Sequence, residues 1–303
     1  MSIYLQTTSD GSKTSGAINS GKKEGIGAVL QYQLFLYGMC KKFGLEFYND
    51  GFRNIGHSTY NNYSDCEWGN LFTNFFNFSS NKNFENRITF SEIDERFFSF
   101  IEDNKNKSDD CLVYVEPEEV LRYGQSIIDE IYNQRYLIKL KNNFQFHSNY
   151  FSKDVLNICL HIRSINSEDI SFCIEQDFRE LYTNKEEKRY IDLIQNLKKV
   201  CYNEKIHLHI YSQGSKDNFL NVINLSENKF EIILHLDENP VSDIYHMSHA
   251  DLLIMSNSSY SWVSHLLNYN PTLVRDNFWH STYPNTLKLD SDYSFNTERL
   301  RIV

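Results

Sequence analysis

Between residues 155 and 275 the apolar period switches repeatedly from two to about 3.6, with breaks of only a few residues. "VLNICLHI" (155–162), "KIHLHIYS" (205–212), "FEIILHL" (230–236), "DLLIMS" (251–256) and "PTLVR" (271–275) carry strand patterning. Helical patterning separates them at 185–204, 216–224, 240–250 and 259–268, where Tyr190, Ile194, Leu197 and Cys201, for example, fall on one face of the first. Strands that alternate with helices in this way must run parallel, because each helix returns the chain to the starting edge of the sheet. Helices then cover both faces, and ligands bind beyond the carboxyl ends of the strands. The α/β class follows from this half alone.

The N-terminal half is less regular. It offers a strand at 2–6, a Gly/Ser/Lys loop at 9–25, an apolar helix at 26–44, a strand "LEFYN", an Asn/Phe-rich stretch at 61–88, a helix at 91–105, a strand at 111–116 and a long helix at 117–140. This too fits an α/β arrangement. Two domains are expected, 1–150 and 151–303, joined near "KNNFQFHSNYFSK" (141–153), and no internal repeat is present.

Net charge is −10, without a basic stripe, so nucleic acid and anionic membrane surfaces are repelled on average. A small anion is not excluded, because one arginine with oriented backbone N–H groups outweighs a diffuse, screened field. The six cysteines form no C-x-x-C pair and no Cys/His zinc spacing, which favours reduced thiols. No apolar signal region opens the chain and no run is long enough to cross a membrane, so the expected location is cytoplasmic.

Chemistry is expected where the second-half strands end. The first ends on His161 and Arg163, and arginine presents a planar fork of donors suited to a diphosphate. The second ends in Ser212, Gln213 and Gly214, where small residues let a ligand approach the backbone. The fourth ends in Asn257, Ser258 and Ser259 and then opens a helix, whose first N–H groups favour a phosphate. Each feature alone has an ordinary structural explanation: a salt bridge for Arg163, a satisfied strand end for His161, a helix cap for each serine. Their recurrence at three ends of one sheet points to an anion site.

"HIRSINSED", "IYSQGS" and "ADLLIMSNSSYSWVSHLL" together resemble the three motifs of the fucosyltransferase superfamily that includes the α1,2-, α1,6- and protein O-fucosyltransferases. "GKKEGIGAVLQYQLFLYGMCKKFGLEFYNDGFRNIGH" (21–57) is similar to its opening Gly-rich turn and first helix, which makes Gly25 and Gly27 substrate-side candidates. The resemblance implies a GT-B-type fold, two Rossmann-like domains facing a cleft. It further implies inverting, metal-independent transfer of fucose from GDP-fucose to a glycan hydroxyl, with no cofactor. Arg163 would hold the diphosphate, Ser258 and Ser259 would help bind phosphate, and His161 would lie near the nucleotide.

The chain departs from the usual H-x-R-R-x-D at Ser164 and Asn166, and it has Ser212-Gln213 where many relatives carry an aspartate suited to guanine. Another nucleotide-sugar donor, or a degenerate non-catalytic glycan- or nucleotide-binding module, therefore stays open. Glu168 and Asp169, with Glu175 behind them, are the candidates for a general base, against the alternative of a solvated acidic loop. The pairs His207/His209 and His246/His249 lack a third ligand at metal spacing, so no metal site is expected. Lys22 and Lys23 stand in no Walker-type loop, and Phe72, Phe75, Phe76 and Phe78 read as core more readily than as a sugar platform.

Overall fold

A computed structural model describes residues 2–14, 23–56, 75, 82–107, 109–143, 151–163, 184–201 (184–187 as backbone only), 204–227, 229–290 and 294–295. The chain divides into two α/β units, Met1–Gln145 with His280–Tyr283, and Phe146–Trp279 with Pro284–Val303. Each is built on a parallel sheet, as a GT-B-type chain requires.

In the N-terminal unit, β1 (Ile3–Gln6) leads through α1 (Ile26–Phe43) to β2 (Glu46–Phe47), and β3 (Asn86–Phe90) leads through α2 (Glu95–Asn104) to β4 (Cys111–Val115). The four strands lie in the order β2-β1-β4-β3. α1 is buried along most of its length, which is why its sequence is apolar around nearly the whole circumference. Gly44 closes it in the left-handed region (φ 67°), where its N–H reaches the Cys40 carbonyl. Asp94 caps α2 by accepting from the Arg96 and Phe97 N–H groups.

The single helix expected over 117–140 is three: α3 (Pro117–Ser126), α4 (Ile128–Asn133) and α5 (Ile138–Asn142). Arg135 at φ 50° ends α4, while the Tyr136 N–H returns to the Ile131 carbonyl at 3.2 Å. The apolar period runs through both breaks because Ile128, Ile131, Leu137 and Leu140 all reach buried positions. β3 falls in a stretch that patterning leaves unassigned. It is an edge strand with four exposed residues, so no buried face marks it.

The C-terminal unit contains β5 (Leu156–His161), α6 (Asn184–Val200), β6 (Ile206–Ser212), a 3₁₀ turn (Lys216–Phe219) running into α7 (Leu220–Ile223), and β7 (Phe230–Leu236). It continues with α8 (Pro240–His249), β8 (Leu252–Ile254), α9 (Ser259–Leu267), β9 (Thr272–Arg275) and β10 (Thr286–Leu289). The spatial order is β10-β9-β8-β5-β6-β7, every pairing parallel. Numbered within the unit, this is the 3-2-1-4-5-6 order of a doubly wound sheet. Winding proceeds outward from β5 in one direction, then restarts from β8 in the other.

One face of this sheet is aliphatic. Ile158, Leu160, Leu208, Ile210, Leu252 and Ile254 pack with Leu193, Ile194 and Leu197 of α6, each such burial contributing about 1.5–3 kcal/mol. The alternate residues Cys159, His161, His209, Tyr211 and His235 are buried on the other face. Among the described residues no helix is long and apolar enough to cross a membrane. Phe75 is buried, consistent with a core role, whereas Phe72, Phe76 and Phe78 lie outside the described residues. Cys40, Cys111, Cys159 and Cys201 are free thiols.

α3 packs on α1 at Gly124, where a Cβ would come within 2.3 Å of the fully buried Phe35 ring. Gly124→Ala is therefore expected to destabilise the protein by about 1–3 kcal/mol despite the better helix propensity of alanine, as read from urea unfolding.

Candidate functional site

The two winding directions separate between β5 and β8, and their crossovers leave a crevice at the carboxyl ends of these strands. His161 is the last residue of β5, and Ser256 lies two positions past the end of β8. The Ser256 hydroxyl and His161 Nδ1 are 2.7 Å apart, with both residues buried, so one hydrogen bond spans the crevice floor.

Above Ser256 the chain turns into α9. The Ser256 carbonyl accepts from the Ser258 N–H at 2.9 Å and from the Ser261 hydroxyl at 3.2 Å, which fixes the turn. Ser258 is the N-cap, and its hydroxyl accepts from the Tyr260 N–H at 3.2 Å. The Ser259 and Ser261 N–H groups have no acceptor among the described residues. With no acidic residue in the first turn, this nine-residue helix directs an uncompensated positive end at the crevice. The buried Asn257 Oδ1 likewise lacks a donor.

Arg163 follows β5 and is half-buried. Burial first, and then the Arg163 cation, push the His161 pKa down to about 3, so the imidazole is neutral at physiological pH. The Tyr260 ring lies 5.4 Å from His161, and its hydroxyl donates to the Pro240 carbonyl at 2.5 Å, tying the start of α9 to the start of α8. The structure thus brings His161, Arg163, Asn257, Ser258 and Ser259 to neighbouring strand ends.

The end of β6 is arranged differently from what its sequence alone suggests. The Ser212 hydroxyl donates to the Ile162 carbonyl at 2.7 Å, a structural tie between strand ends. Gln213 is half-buried. Gly214 adopts φ 105°, a conformation that requires glycine, and its N–H donates to Asp237 Oδ2 at 3.0 Å. Asp237 itself sits at φ 52° while its N–H donates to the Ser212 carbonyl. Strained, mutually bonded loop ends of this kind concentrate at ligand sites.

Asp243 was not singled out by the sequence, since an acid in the first turn of a helix reads as a dipole partner. It is buried, its Oδ1 has no donor, and burial, followed by the charge of Glu238, raises its carboxyl pKa well above the usual range, while the Tyr260 hydroxyl opposes the shift. Glu24 in the N-terminal unit is a second such carboxylate. Burial raises its pKa against a hydrogen bond from Thr14, and its Oε2 is unpartnered. It directly precedes Gly25, the N-cap of α1, whose φ of −73° shows that backbone freedom is not what the glycine supplies there. Gly27 is buried in the first turn of α1. A tight fit is instead needed opposite Gly25 at Gly56, where a Cβ would lie 2.2 Å from the Lys23 carbonyl.

Glu168, Asp169 and Glu175, like Ser164 and Asn166, lie outside the described residues. Among the described residues no three His, Cys, Asp or Glu side chains are grouped to hold a metal ion.

His161 generates a prediction with a definite sign. Its folded pKa lies below its unfolded value of 6.5, so its contribution to stability is present above pH 6.5 and is lost as pH falls toward 3. Its ring resonances should stay flat between about pH 8 and 5 by NMR. Ser256→Ala, which strands the buried Nδ1, should cost about 1–3 kcal/mol in urea unfolding.

No family model matches the chain, and no curated protein matches it. Solved structures do resemble it at low identity. POFUT1 in complex with GDP shares 12% identity at a TM-score of 0.45, covering 90% of this chain and 98% of that one. POFUT1 in complex with GDP-fucose shares 10% at 0.44, covering 90% and 97%. The glycosyl transferase family 9 protein from Veillonella parvula DSM 2008 shares 11% at 0.43, covering 98% and 88%.

Proposed function

We propose that the C-terminal unit binds a nucleotide sugar across the β5/β8 crevice and that the chain is an inverting, metal-independent glycosyltransferase. The donor we assign is GDP-fucose and the acceptor a glycan hydroxyl. One observation carries this reading: the His161–Ser256 bond closes the floor of a doubly wound switch point, with a guanidinium on one side and an uncompensated helix N-terminus on the other.

In this scheme the diphosphate lies between Arg163 and the Ser259 and Ser261 N–H groups. As the acceptor oxygen bonds to the anomeric carbon, the bond from that carbon to the phosphate oxygen breaks and its electron pair passes to the diphosphate. Fixed donors stabilise that charge most strongly in the transition state, without reorganising. Neutral His161 contributes shape and a hydrogen-bonding edge without a further charge. Asp243, whose carboxyl burial keeps protonated, offers its unpartnered Oδ1 as an acceptor. A buried acceptor oxygen lacking a donor is satisfied by the guanine edge, whose N1–H and N2–H groups are adjacent donors. The acceptor proton passes to a carboxylate, for which Glu168 and Asp169 are the candidates.

The first test is a thermal-shift panel of GDP, UDP, ADP and CMP without added metal. A stabilisation with GDP is expected, about 2.7 kcal/mol at a hundred times Kd, and no shift with any nucleotide would favour a non-binding, degenerate chain. Arg163→Lys should lower kcat far more than stability, because lysine keeps the charge and loses the fork. Turnover should survive excess EDTA, whereas loss restored by Mg²⁺ or Mn²⁺ would reject the metal-independent scheme. Of Glu168→Gln and Asp169→Asn, the one that removes the base should abolish turnover while leaving the GDP shift intact.

A further inference from the structure

Beneath α8 the sheet face carries imidazoles where aliphatic side chains would be the simpler filling. His209 is fully buried, and His235 and His246 nearly so. Tyr211 stacks on His235 with centroids 4.5 Å apart and planes at 8°, whereas the His209 and His235 rings lie edge to edge and nearly coplanar, with centroids 5.3 Å apart and planes at 20°. His209 Nδ1 lies 3.0 Å from His235 Nε2, and His235 Nδ1 lies 3.2 Å from both carboxylate oxygens of Glu238. His207 stands outside this chain, paired with Glu231 at 3.2 Å.

The protons along the chain can be placed. Burial holds both rings neutral: it pushes His209 down to about 3, with neighbouring histidines adding to the effect, and it lowers His235 even against the opposing pull of Glu238. An ionised carboxylate only accepts, so His235 carries its proton on Nδ1 and leaves Nε2 bare. The contact between the two rings then requires the proton on His209 Nδ1, leaving His209 Nε2 bare, and that atom indeed has no partner. Both buried rings are thus held in the tautomer less favoured by a free histidine side chain.

The outer end of the chain reaches the loop that follows β7. Glu238 has a third of its side chain exposed and lies just past the end of β7. It follows Asp237, which holds Gly214, and its charge acts on Asp243. An acid on such a loop end would swing freely, and a lysine or arginine partner would neutralise it and compete with a ligand. A neutral N–H donor fixes its direction and leaves its charge available.

We propose that His209 and His235 form a positioning relay that presents Glu238 as an ionised acceptor for the hydrogen-bond donors of the nucleoside end of the donor substrate. The ligand half of the proposal rests on the nucleotide-binding reading of the same unit.

Long-range ¹H–¹⁵N spectra of the histidines at neutral pH test the relay, with Glu238→Leu as the variant. Wild-type His209 and His235 should both show Nδ1–H, and Glu238→Leu should move both to Nε2–H, a change transmitted across two rings. A wild-type Nε2–H tautomer, or a His209 signal indifferent to Glu238→Leu, would overturn it. The ligand role is read by titrating GDP and inorganic pyrophosphate onto the wild type and Glu238→Gln. GDP should weaken about tenfold with pyrophosphate unchanged. Equal weakening of both, or of neither, would refute the nucleoside contact. A wild type that binds neither compound would instead sink the nucleotide reading and the ligand half with it, while the tautomers still decide the relay.

Discussion

Everything in the candidate site depends on where the parallel sheet of the C-terminal unit reverses its winding. Crossovers from β5 run one way through β6 and β7, and those from β8 run the other way through β9 and β10. A gap at the shared edge of β5 and β8 is the geometric result, and no helix can fill it without blocking both crossovers. The strand ends must therefore satisfy their polar groups by themselves. The Ser256 hydroxyl against His161, the Ser258 cap and the Ser212 tie to Ile162 do so on the floor, and the first N–H groups of α9 are left facing outward.

The two faces of this sheet divide labour. The aliphatic face under α6 supplies hydrophobic stabilisation, while the face under α8 holds neutral histidines, a tyrosine and a carboxyl group at a cost in desolvation. Such a face specifies more than it stabilises, because each group fixes the orientation of its neighbour. Acid works against it, since His161 and His209 have folded pKa values near 3 and would have to take up protons while buried.

How much of this was legible in the sequence depended on burial. Strands β5 to β9 stand out because at least one face of each is apolar along its length, and the candidate site residues His161, Arg163 and Ser258 stand out because they end such runs. β3 does not, since an exposed edge strand has no buried face to mark it. The breaks at Ile127 and Arg135 were invisible because the apolar period continues across them. Asp243, Glu24 and the His209–His235–Glu238 chain were missed for a different reason. Their significance lies in atoms left unpartnered or paired by the fold, those of Asp243 and the histidine chain coming together from β6, β7 and α8, and spacing along the chain does not record that. In the sequence His207 and His209 read as an alternating pair that lacks a third metal ligand. The pairing that matters, His209 with His235, joins two strands.

The most direct measurement is a crystal structure of the protein grown with GDP and no divalent metal. The account predicts the diphosphate at the carboxyl ends of β5 and β8, within hydrogen-bonding distance of the Arg163 guanidinium and the first N–H groups of α9, with the His161–Ser256 bond intact beneath it. A nucleotide bound elsewhere on the chain, or an empty crevice at saturating GDP, would contradict it.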